Sequence, residues 1–218
     1  MNKPIIIANW KSNKTVGEAR EWWKIFSNTL SKSSSKEKLV IICPSFTLLP
    51  LLKEEIKNSE LEILLGAQDV SAFEQGSNTG EVNARQIKEF ADYVIIGHSE
   101  RRGSLKEDNE ILAEKVKRAK EAKLSTIFCI QGENTLIPEG VNLIAYEPIF
   151  AIGTGNPETP ENAETVANTV KKDARFLYGG SVKSDNIQAF SKKRNIDGVL
   201  VGGASLNPLE FAKIVELA

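Results

Sequence analysis

Eight short apolar segments recur along the chain, and an amphipathic stretch separates each from the next. They are Ile5 to Trp10, Leu39 to Cys43, Leu61 to Ala67, Tyr93 to Gly97, Thr126 to Ile130, Asn142 to Glu147, Arg175 to Tyr178 and Gly198 to Val201. Continuous apolar runs without polar alternation are typical of strands in a parallel sheet that is covered on both faces. The pattern therefore predicts eight buried parallel strands.

The stretches between these strands carry apolar residues three and four positions apart, which predicts helices. The predicted helices are Val16 to Leu30, Phe46 to Asn58, Asn83 to Phe90, Asp108 to Ala122, Pro160 to Asp173, Asp185 to Arg194 and Pro208 to Leu217. Thr159-Pro160 and Asn207-Pro208 mark two helix starts, because each places a capping side chain before a proline at the first helical position. The Ser- and Lys-rich piece Ser31 to Lys38 is predicted to be a surface loop.

Alternating strands and helices predict an α/β protein whose parallel sheet is either open and doubly wound or closed into a barrel. Eight units favour the closed (β/α)8 barrel, and we expect residues 1–218 to form it as a single domain. Only residues 131 to 141 separate the fifth and sixth strands, which is near the minimum of about 10–12 residues for a parallel crossover. The fifth helix is therefore predicted to be shortened or missing.

Composition narrows the function classes. The 28 Lys and Arg residues balance 29 Asp and Glu residues, which argues against a nucleic-acid partner. No apolar run approaches the roughly 20 residues that span a bilayer, and the N-terminus does not resemble a signal peptide, so we expect a cytoplasmic protein without a membrane partner. Cys43 and Cys129 lie in separate apolar runs and the chain has one histidine, so buried reduced thiols are expected and a metal site is not.

In a closed barrel, functional residues lie at the carboxyl ends of the strands. The strand ends of this chain carry Asn9 and Lys11, then His98 and Glu100, then Glu147, then Gly179 to Ser181, and finally Gly202 and Gly203. A cation, an imidazole, carboxylates and two glycine pairs would thus meet at one mouth of the barrel.

Three of these side chains have a plain alternative when each is taken alone. Glu147 precedes Pro148, which keeps it extended, and a carboxylate shielded there could act as a general base or could be an exposed glutamate at a strand end. His98 follows a strand at a turn where backbone N–H groups favour a neutral ring, or it is a structural histidine. Lys11 could stabilise an oxyanion or a phosphoryl group, or be a surface lysine.

The glycine pairs point to a phosphate site. Phosphate sites in such barrels lie in the loops after strands seven and eight, where glycine lets backbone N–H groups approach an anion, although plain turns are the alternative. Gly153-Thr154-Gly155 lacks the third glycine of a dinucleotide fingerprint, so no nucleotide cofactor is expected. The apolar residues 148 to 155, directly after Glu147, are typical of a lid that closes over a site.

Five motifs in order resemble the triosephosphate isomerase family, over residues Lys3 to Val215. They are Asn9-Trp10-Lys11, Gly97-His98-Ser99-Glu100-Arg101-Arg102, Ala145-Tyr146-Glu147-Pro148 continuing through Ala151-Ile152-Gly153-Thr154-Gly155, Tyr178-Gly179-Gly180-Ser181-Val182, and Val201-Gly202-Gly203-Ala204-Ser205-Leu206. The resemblance implies a TIM barrel. It also implies a cofactor-free isomerase of glycolysis and gluconeogenesis that interconverts dihydroxyacetone phosphate and D-glyceraldehyde 3-phosphate through an enediolate.

The same resemblance assigns roles to the candidate residues. Glu147 would be the general base, neutral His98 would polarise the carbonyl, and Glu100 would orient polar groups around Lys11. Lys11 and Asn9 would stabilise the developing negative charge. The substrate phosphate would be held by backbone N–H groups of Gly153, Ser181, Gly202 and Gly203, with the lid Ile149 to Gly155 closed over the site.

Residues Gly66 to Val70 and Thr79 to Val82 resemble the family's docking loop. This implies a homodimer through the loop around Gln68 to Glu81, with Thr79 near the partner's Lys11.

The chain also departs from the family. It has Phe150 and Asn156 where tryptophan and lysine are usual in the lid region, and the short stretch from residue 155 to residue 175 suggests a trimmed sixth helix. Two alternatives to the isomerase stay open: another sugar-phosphate isomerase or synthase on a phosphate-binding barrel, and a barrel with only a binding or scaffold role.

Overall fold

A computed structural model describes residues 3–151, 158–171 and 173–218. Its eight parallel strands are hydrogen-bonded in chain order, and β8 pairs with β1, so the sheet closes into a barrel. The strands are β1 Ile5–Asn9, β2 Leu39–Cys43, β3 Ile63–Ala67, β4 Tyr93–Ile96, β5 Ser125–Ile130, β6 Leu143–Tyr146, β7 Arg175–Tyr178 and β8 Gly198–Val201. The predicted (β/α)8 TIM barrel is confirmed, and the open doubly wound sheet is not the fold.

Helices in the described residues surround this barrel. They are α1 Val16–Thr29, α2 Lys32–Glu37, α3 Leu49–Lys57, α4 Ala84–Lys88, α5 Ser99–Ser104, α6 Asn109–Glu121, α7 Pro160–Val170, α8 Ile187–Ser191 and α9 Pro208–Leu217. Short 3-10 segments cover Phe46–Leu48, Ile149–Ala151 and Gly203–Leu206. None of the helices in the described ranges is long and apolar enough to cross a membrane.

Both faces of the strands are buried, which explains their continuous apolar sequence. One set of strand residues, including Ile7, Ile41 and Cys129, packs inside the barrel, and the alternate residues pack outward against the helices. Closure between β8 and β1 depends on Gly198, because a Cβ at that position would lie 1.9 Å from the carbonyl oxygen of Ile5.

The two helix starts that the sequence marks best are confirmed. The Thr159 side chain accepts a hydrogen bond from the N–H of Asn162 at 3.2 Å, ahead of Pro160. The Asn207 side chain accepts from the N–H of Leu209 at 3.0 Å and also from that of Glu210, ahead of Pro208.

The prediction of a loop over Ser31 to Lys38 is wrong, because residues Lys32–Glu37 form α2. The Ser31 side chain caps this helix by accepting from the N–H of Ser34 at 3.1 Å. Glu216 on α9 accepts from the N–H of Ser31 at 2.9 Å and from the Ser34 hydroxyl at 2.5 Å. A carboxylate distant in sequence thus stabilises a segment whose composition alone is typical of a loop.

The predicted loss of the fifth helix is confirmed. Residues 131 to 142, all of which the structure describes, contain no helix. The outer faces of β5 and β6 are buried nonetheless at Phe128 and Ile144, where the partly buried Ile137 and Val141 belong to the same core. After β6, the helix α7 ends at Val170, short of the predicted Asp173.

Candidate active site

A cavity of about 440 Å³ lies at the carboxyl ends of the strands. Its lining residues are Asn9, Lys11, His98, Glu147, Gly179, Gly180, Ser181, Val182, Lys183, Leu200, Gly202, Gly203 and Ala204. The structure therefore brings together all the predicted site residues except two. Glu100 contacts Lys11 without lining the cavity, and Gly153 lies outside the described residues.

Glu147 is buried, with 2% of its surface exposed, so it is not the exposed glutamate that the sequence left open. It directly follows β6, and its N–H donates to the carbonyl of Ile130 at 2.8 Å. Its Oε2 accepts from the N–H of Ser99, the first residue of α5, at 2.9 Å, while its Oε1 lies 2.9 Å from Nε2 of His98. A carboxylate held in this way faces the cavity in a defined orientation.

The hydrogen bonds of His98 define its tautomer. The N–H of Glu100 donates to Nδ1 at 3.2 Å, so Nδ1 is an acceptor and carries no proton. The proton of a neutral ring is then on Nε2, which donates to Oε1 of Glu147. The Nε2–H group of His98 therefore lies beside the Glu147 carboxylate at the cavity.

Lys11 has a left-handed backbone conformation, with φ of 53°, which is uncommon for a residue with a side chain. Its N–H donates to Oδ1 of Asn9 at 3.1 Å, and its carbonyl accepts from the side-chain amide of Gln68 at 2.9 Å. Its Nζ donates to Oε1 of Glu100 at 2.6 Å. These contacts fix the backbone of Lys11 while its ammonium group reaches the cavity.

Arg102 links the ends of β4 and β5 beside the site through hydrogen bonds. The sequence alone does not predict this role. Its Nε donates to the carbonyl of Gly97 at 2.8 Å and its Nη2 to the carbonyl of Cys129 at 3.1 Å. Gly97 has φ of 74°, and a Cβ there would lie 2.9 Å from the Arg102 guanidinium. The turn that carries His98 therefore needs both the glycine and the arginine.

The buried thiol of Cys129 lies near the base. Burial, and next the negative charge of Glu147, raise the pKa of this thiol well above its ordinary value. Burial also raises the pKa of the Cys43 thiol. Both cysteines are free and buried, as the sequence predicts, and neither is poised to become a thiolate.

The glycine side of the cavity is shaped by Tyr178. Its ring stacks on Phe190 at 4.0 Å between centroids, and its hydroxyl accepts from the N–H of Glu158 at 2.8 Å. A Cβ on Gly180 would lie 2.1 Å from that hydroxyl, so only glycine fits there. By contrast, no described residue outside the immediate chain neighbourhood of Gly203 has an atom within 4 Å of a Cβ placed there, so its described surroundings are open.

Only the start of the predicted lid falls within the described residues. Pro148 is buried, whereas Ile149 and Phe150 are exposed by 64% and 61% in the 3-10 segment that follows Glu147. Gly153, Gly155 and Asn156 lie outside the described residues. Among the residues that are described, no group of three or more His, Cys, Asp or Glu side chains could hold a metal ion.

Ser99, Gln68, Arg102 and Lys183 are contacts of the site that reasoning from the sequence did not single out as site residues. Ser99 and Arg102 could have been identified as site residues because they lie in the same sequence motif as His98. No local pattern identifies the other two, because Gln68 acts through its amide contact with Lys11 and Lys183 through its place on the cavity wall.

Known proteins match this chain over nearly its whole length. The family model described as triosephosphate isomerase matches residues 4–139 and 137–218. A triosephosphate isomerase of Mesomycoplasma hyopneumoniae (strain 7448) is 40% identical over 242 aligned positions, with 98% of each chain covered. That of Thermus thermophilus is 35% identical with 100% of each chain covered. A crystal structure of triosephosphate isomerase from Bartonella henselae superimposes with a TM-score of 0.82, at 29% identity and 99% coverage of each chain.

Proposed function

The chain belongs to the triosephosphate isomerase family, and we propose that it interconverts dihydroxyacetone phosphate and D-glyceraldehyde 3-phosphate through an enediolate. The observation that supports this most is the buried Glu147 carboxylate, which contacts the His98 imidazole and accepts from a backbone N–H at the edge of a cavity. That arrangement suits a proton transfer next to a carbonyl group.

In this proposal Glu147 takes a proton from the carbon next to the substrate carbonyl, and the electron pair moves onto the carbonyl oxygen. A proton is then delivered from Glu147 to the former carbonyl carbon. The hydroxyl proton on the first carbon passes to the former carbonyl oxygen, and the first carbon becomes the new carbonyl. His98 donates from Nε2 to the substrate oxygens, in place of its bond to Glu147. Lys11 and Asn9 stabilise the negative charge of the enediolate, and Glu100 orients the Lys11 ammonium group through their 2.6 Å contact.

The phosphate of the substrate would bind at the glycine side of the cavity. We propose that backbone N–H groups of Ser181, Gly202 and Gly203 hold it, together with that of Gly153. The first three line the cavity, and the open surroundings of Gly203 support an approach of an anion to its backbone. Closure of residues 149 to 155 over the site would exclude water from the enediolate.

We further propose that the whole chain forms one domain and that two copies form a homodimer in the cytoplasm. The loop around Gln68 to Glu81 would be the docking loop, with Thr79 near Lys11 of the partner. Phe73 in this loop exposes 56% of its surface, which fits a segment that another chain covers. A sedimentation mass near twice 24.0 kDa is expected, and a mass near 24.0 kDa at micromolar concentration would contradict the dimer.

A coupled assay with D-glyceraldehyde 3-phosphate tests the proposed reaction. We expect turnover by the wild type and a loss of about 10²- to 10⁴-fold in kcat for Glu147→Gln, which keeps the size of the side chain but removes the base. His98→Ala should also lose activity, whereas Glu139→Gln, at an exposed glutamate, should not.

Two results would count against this proposal. Absence of wild-type turnover would refute the reaction and favour another sugar phosphate or a binding role. Equal turnover by the wild type and Glu147→Gln would refute the role of the base.

A further inference from the structure

The two lysines that line the cavity differ in their ion pairs. Lys11 and Lys183 are the lysines among the lining residues, and Glu147 is the carboxylate. Lys11 is 2.6 Å from Glu100, so its charge is already matched. Within the part of the chain that the structure describes, the Lys183 ammonium group makes no ion pair and no hydrogen bond, so its charge is left for a ligand.

The backbone around Lys183 is fixed even though its side chain is exposed. The N–H of Lys183 donates to Oδ1 of Asn186 at 2.9 Å, and its carbonyl accepts from the N–H of Ile187 at 3.0 Å. The side-chain amide of Asn186 also donates to the carbonyl of Ser181 at 2.9 Å. Asn186 therefore joins the two ends of the segment Ser181 to Lys183 and holds Lys183 at the cavity wall.

A phosphorylated substrate brings more negative charge into the cavity than Lys11 alone can balance. A phosphate monoester carries about −1.5 to −2 charges at pH 7. Lys11, Glu100 and Glu147 together have one negative charge in excess, and the chain as a whole has a formal charge of −1. Backbone N–H groups contribute dipoles but no net charge, so the Lys183 ammonium group would add a full charge to their attraction for a dianion.

We propose that the Lys183 ammonium group attracts the phosphate dianion of the substrate and helps to hold it at the loops after β7 and β8. This inference rests on the proposed function, because it assumes a phosphorylated substrate in this cavity. Lys183 contributes to binding and not to proton transfer, so it lowers KM and leaves kcat nearly unchanged. Its effect weakens as salt screens the charge.

The experiment measures kcat and KM with D-glyceraldehyde 3-phosphate for the wild type and for Lys183→Gln and Lys183→Arg, at low and at high ionic strength. At low salt, Lys183→Gln should lower kcat/KM about fivefold through KM, as expected for one unit charge acting on a dianion through water. Lys183→Arg should restore most of the loss. At about 0.5 M salt the difference from the wild type should shrink to less than about twofold.

Lys192→Gln is the matched control, because Lys192 is also an exposed lysine but lies at the carboxyl end of α8. Its kcat/KM should equal that of the wild type. If the wild type has no turnover, the proposed function fails. If the wild type is active and Lys183→Gln matches Lys192→Gln, or loses activity to the same extent at all salt concentrations, the proposed role of Lys183 is wrong.

Discussion

Two groups of charged side chains meet at α5, and they are built in opposite ways. The mouth cluster consists of Lys11, His98, Glu100 and Glu147, whose side chains line the cavity or contact those that do. The buried cluster consists of Asp69, Arg101, Glu107 and Lys115, and it lies behind the loop after β3. Glu100 and Arg101 are neighbours in sequence, yet each belongs to a different cluster.

Within the part of the chain that the structure describes, the side chains of the buried cluster bind one another and no other side chain. Lys115 donates to both carboxylate oxygens of Asp69, at 2.7 and 2.8 Å, and to Glu107 at 2.6 Å. Arg101 donates from Nε to Glu107 at 2.8 Å and lies 2.8 Å from Asp69 through Nη2. Of the buried side-chain atoms in this cluster, Oε2 of Glu107 is left without a hydrogen-bond partner among the described residues. Such a closed network fixes the packing of α5 and α6 and has little room for a ligand.

The mouth cluster, in contrast, has three members that face the cavity, namely Lys11, His98 and Glu147. Lys11 and Glu147 each have a partner but also line the cavity. The number of ion pairs alone therefore does not identify a functional site. What distinguishes this one is the empty volume that its paired groups surround.

Removal of Lys115 should have the largest effect on stability. Lys115→Met leaves Asp69 and Glu107 buried with Arg101 as their remaining cation, so the free energy of unfolding should fall by about 3–5 kcal/mol. Values of kcat measured well below the melting temperature should change less than about threefold, because Lys115 does not reach the cavity. Chemical denaturation and the coupled assay measure the two quantities. A large loss of kcat in a still folded variant would show that the two clusters are not separate.

Removal of Lys11 should produce the reverse pattern. Lys11→Met should lower kcat/KM by about 10²- to 10³-fold, the range for losing one group that stabilises an oxyanion. The free energy of unfolding should change by less than about 1 kcal/mol, because the Lys11–Glu100 pair is partly exposed. The exposed Lys32 offers a control, since Lys32→Met should change neither quantity appreciably. Unchanged activity in Lys11→Met would remove this lysine from the mechanism.

The buried cluster should also make stability depend on acidity through Glu107. Burial opposes ionisation of Glu107, but hydrogen bonds from Arg101 and Lys115 outweigh burial and hold the pKa of its carboxyl below the ordinary value. A carboxylate with a lowered pKa in the folded state stabilises the fold above its ordinary pKa, and this contribution is lost as the pH falls through the lowered value. The contribution of Glu107 to the urea midpoint should therefore be lost on acidification below about pH 5, while Asp69, whose carboxyl pKa is raised by burial, acts in the opposite direction.

Glu107→Gln is expected to be less stable at neutral pH but to lose less stability on acidification. Glu139→Gln, at an exposed site, should keep the wild-type slope. Equal slopes for the wild type and Glu107→Gln would mean that this carboxyl does not titrate as its contacts imply.

The barrel and most of the mouth could be predicted from the sequence because both follow from local patterns. Strand ends such as β2 and β7 coincide with the ends of apolar runs, and in a parallel barrel these ends meet at one mouth. The two clusters could not be told apart in this way. Lys115 lies on an amphipathic helix, where the sequence pattern predicts a solvated lysine. In the structure it is buried, because it forms an ion pair with Asp69, 46 positions away.

Contacts distant in sequence also decide the features that the sequence left open or mispredicted. The orientation of Glu147 depends on Ser99, which is 48 positions away. The helix α2 depends on Glu216 at the other end of the chain, whereas composition alone predicts a loop. Local patterns thus define where side chains can meet, and tertiary hydrogen bonds define what they do there.

The most direct test of the central claim follows the proton that Glu147 is proposed to move. D-glyceraldehyde 3-phosphate is converted in deuterium oxide, and the dihydroxyacetone phosphate formed is examined by NMR for deuterium on carbon. The account predicts carbon-bound deuterium in the wild-type product, because the base exchanges its proton with solvent during part of the turnovers, and a rate of deuterium uptake at least about 10²-fold lower with Glu147→Gln. Deuterium uptake or conversion by Glu147→Gln at the wild-type rate would contradict proton transfer through Glu147.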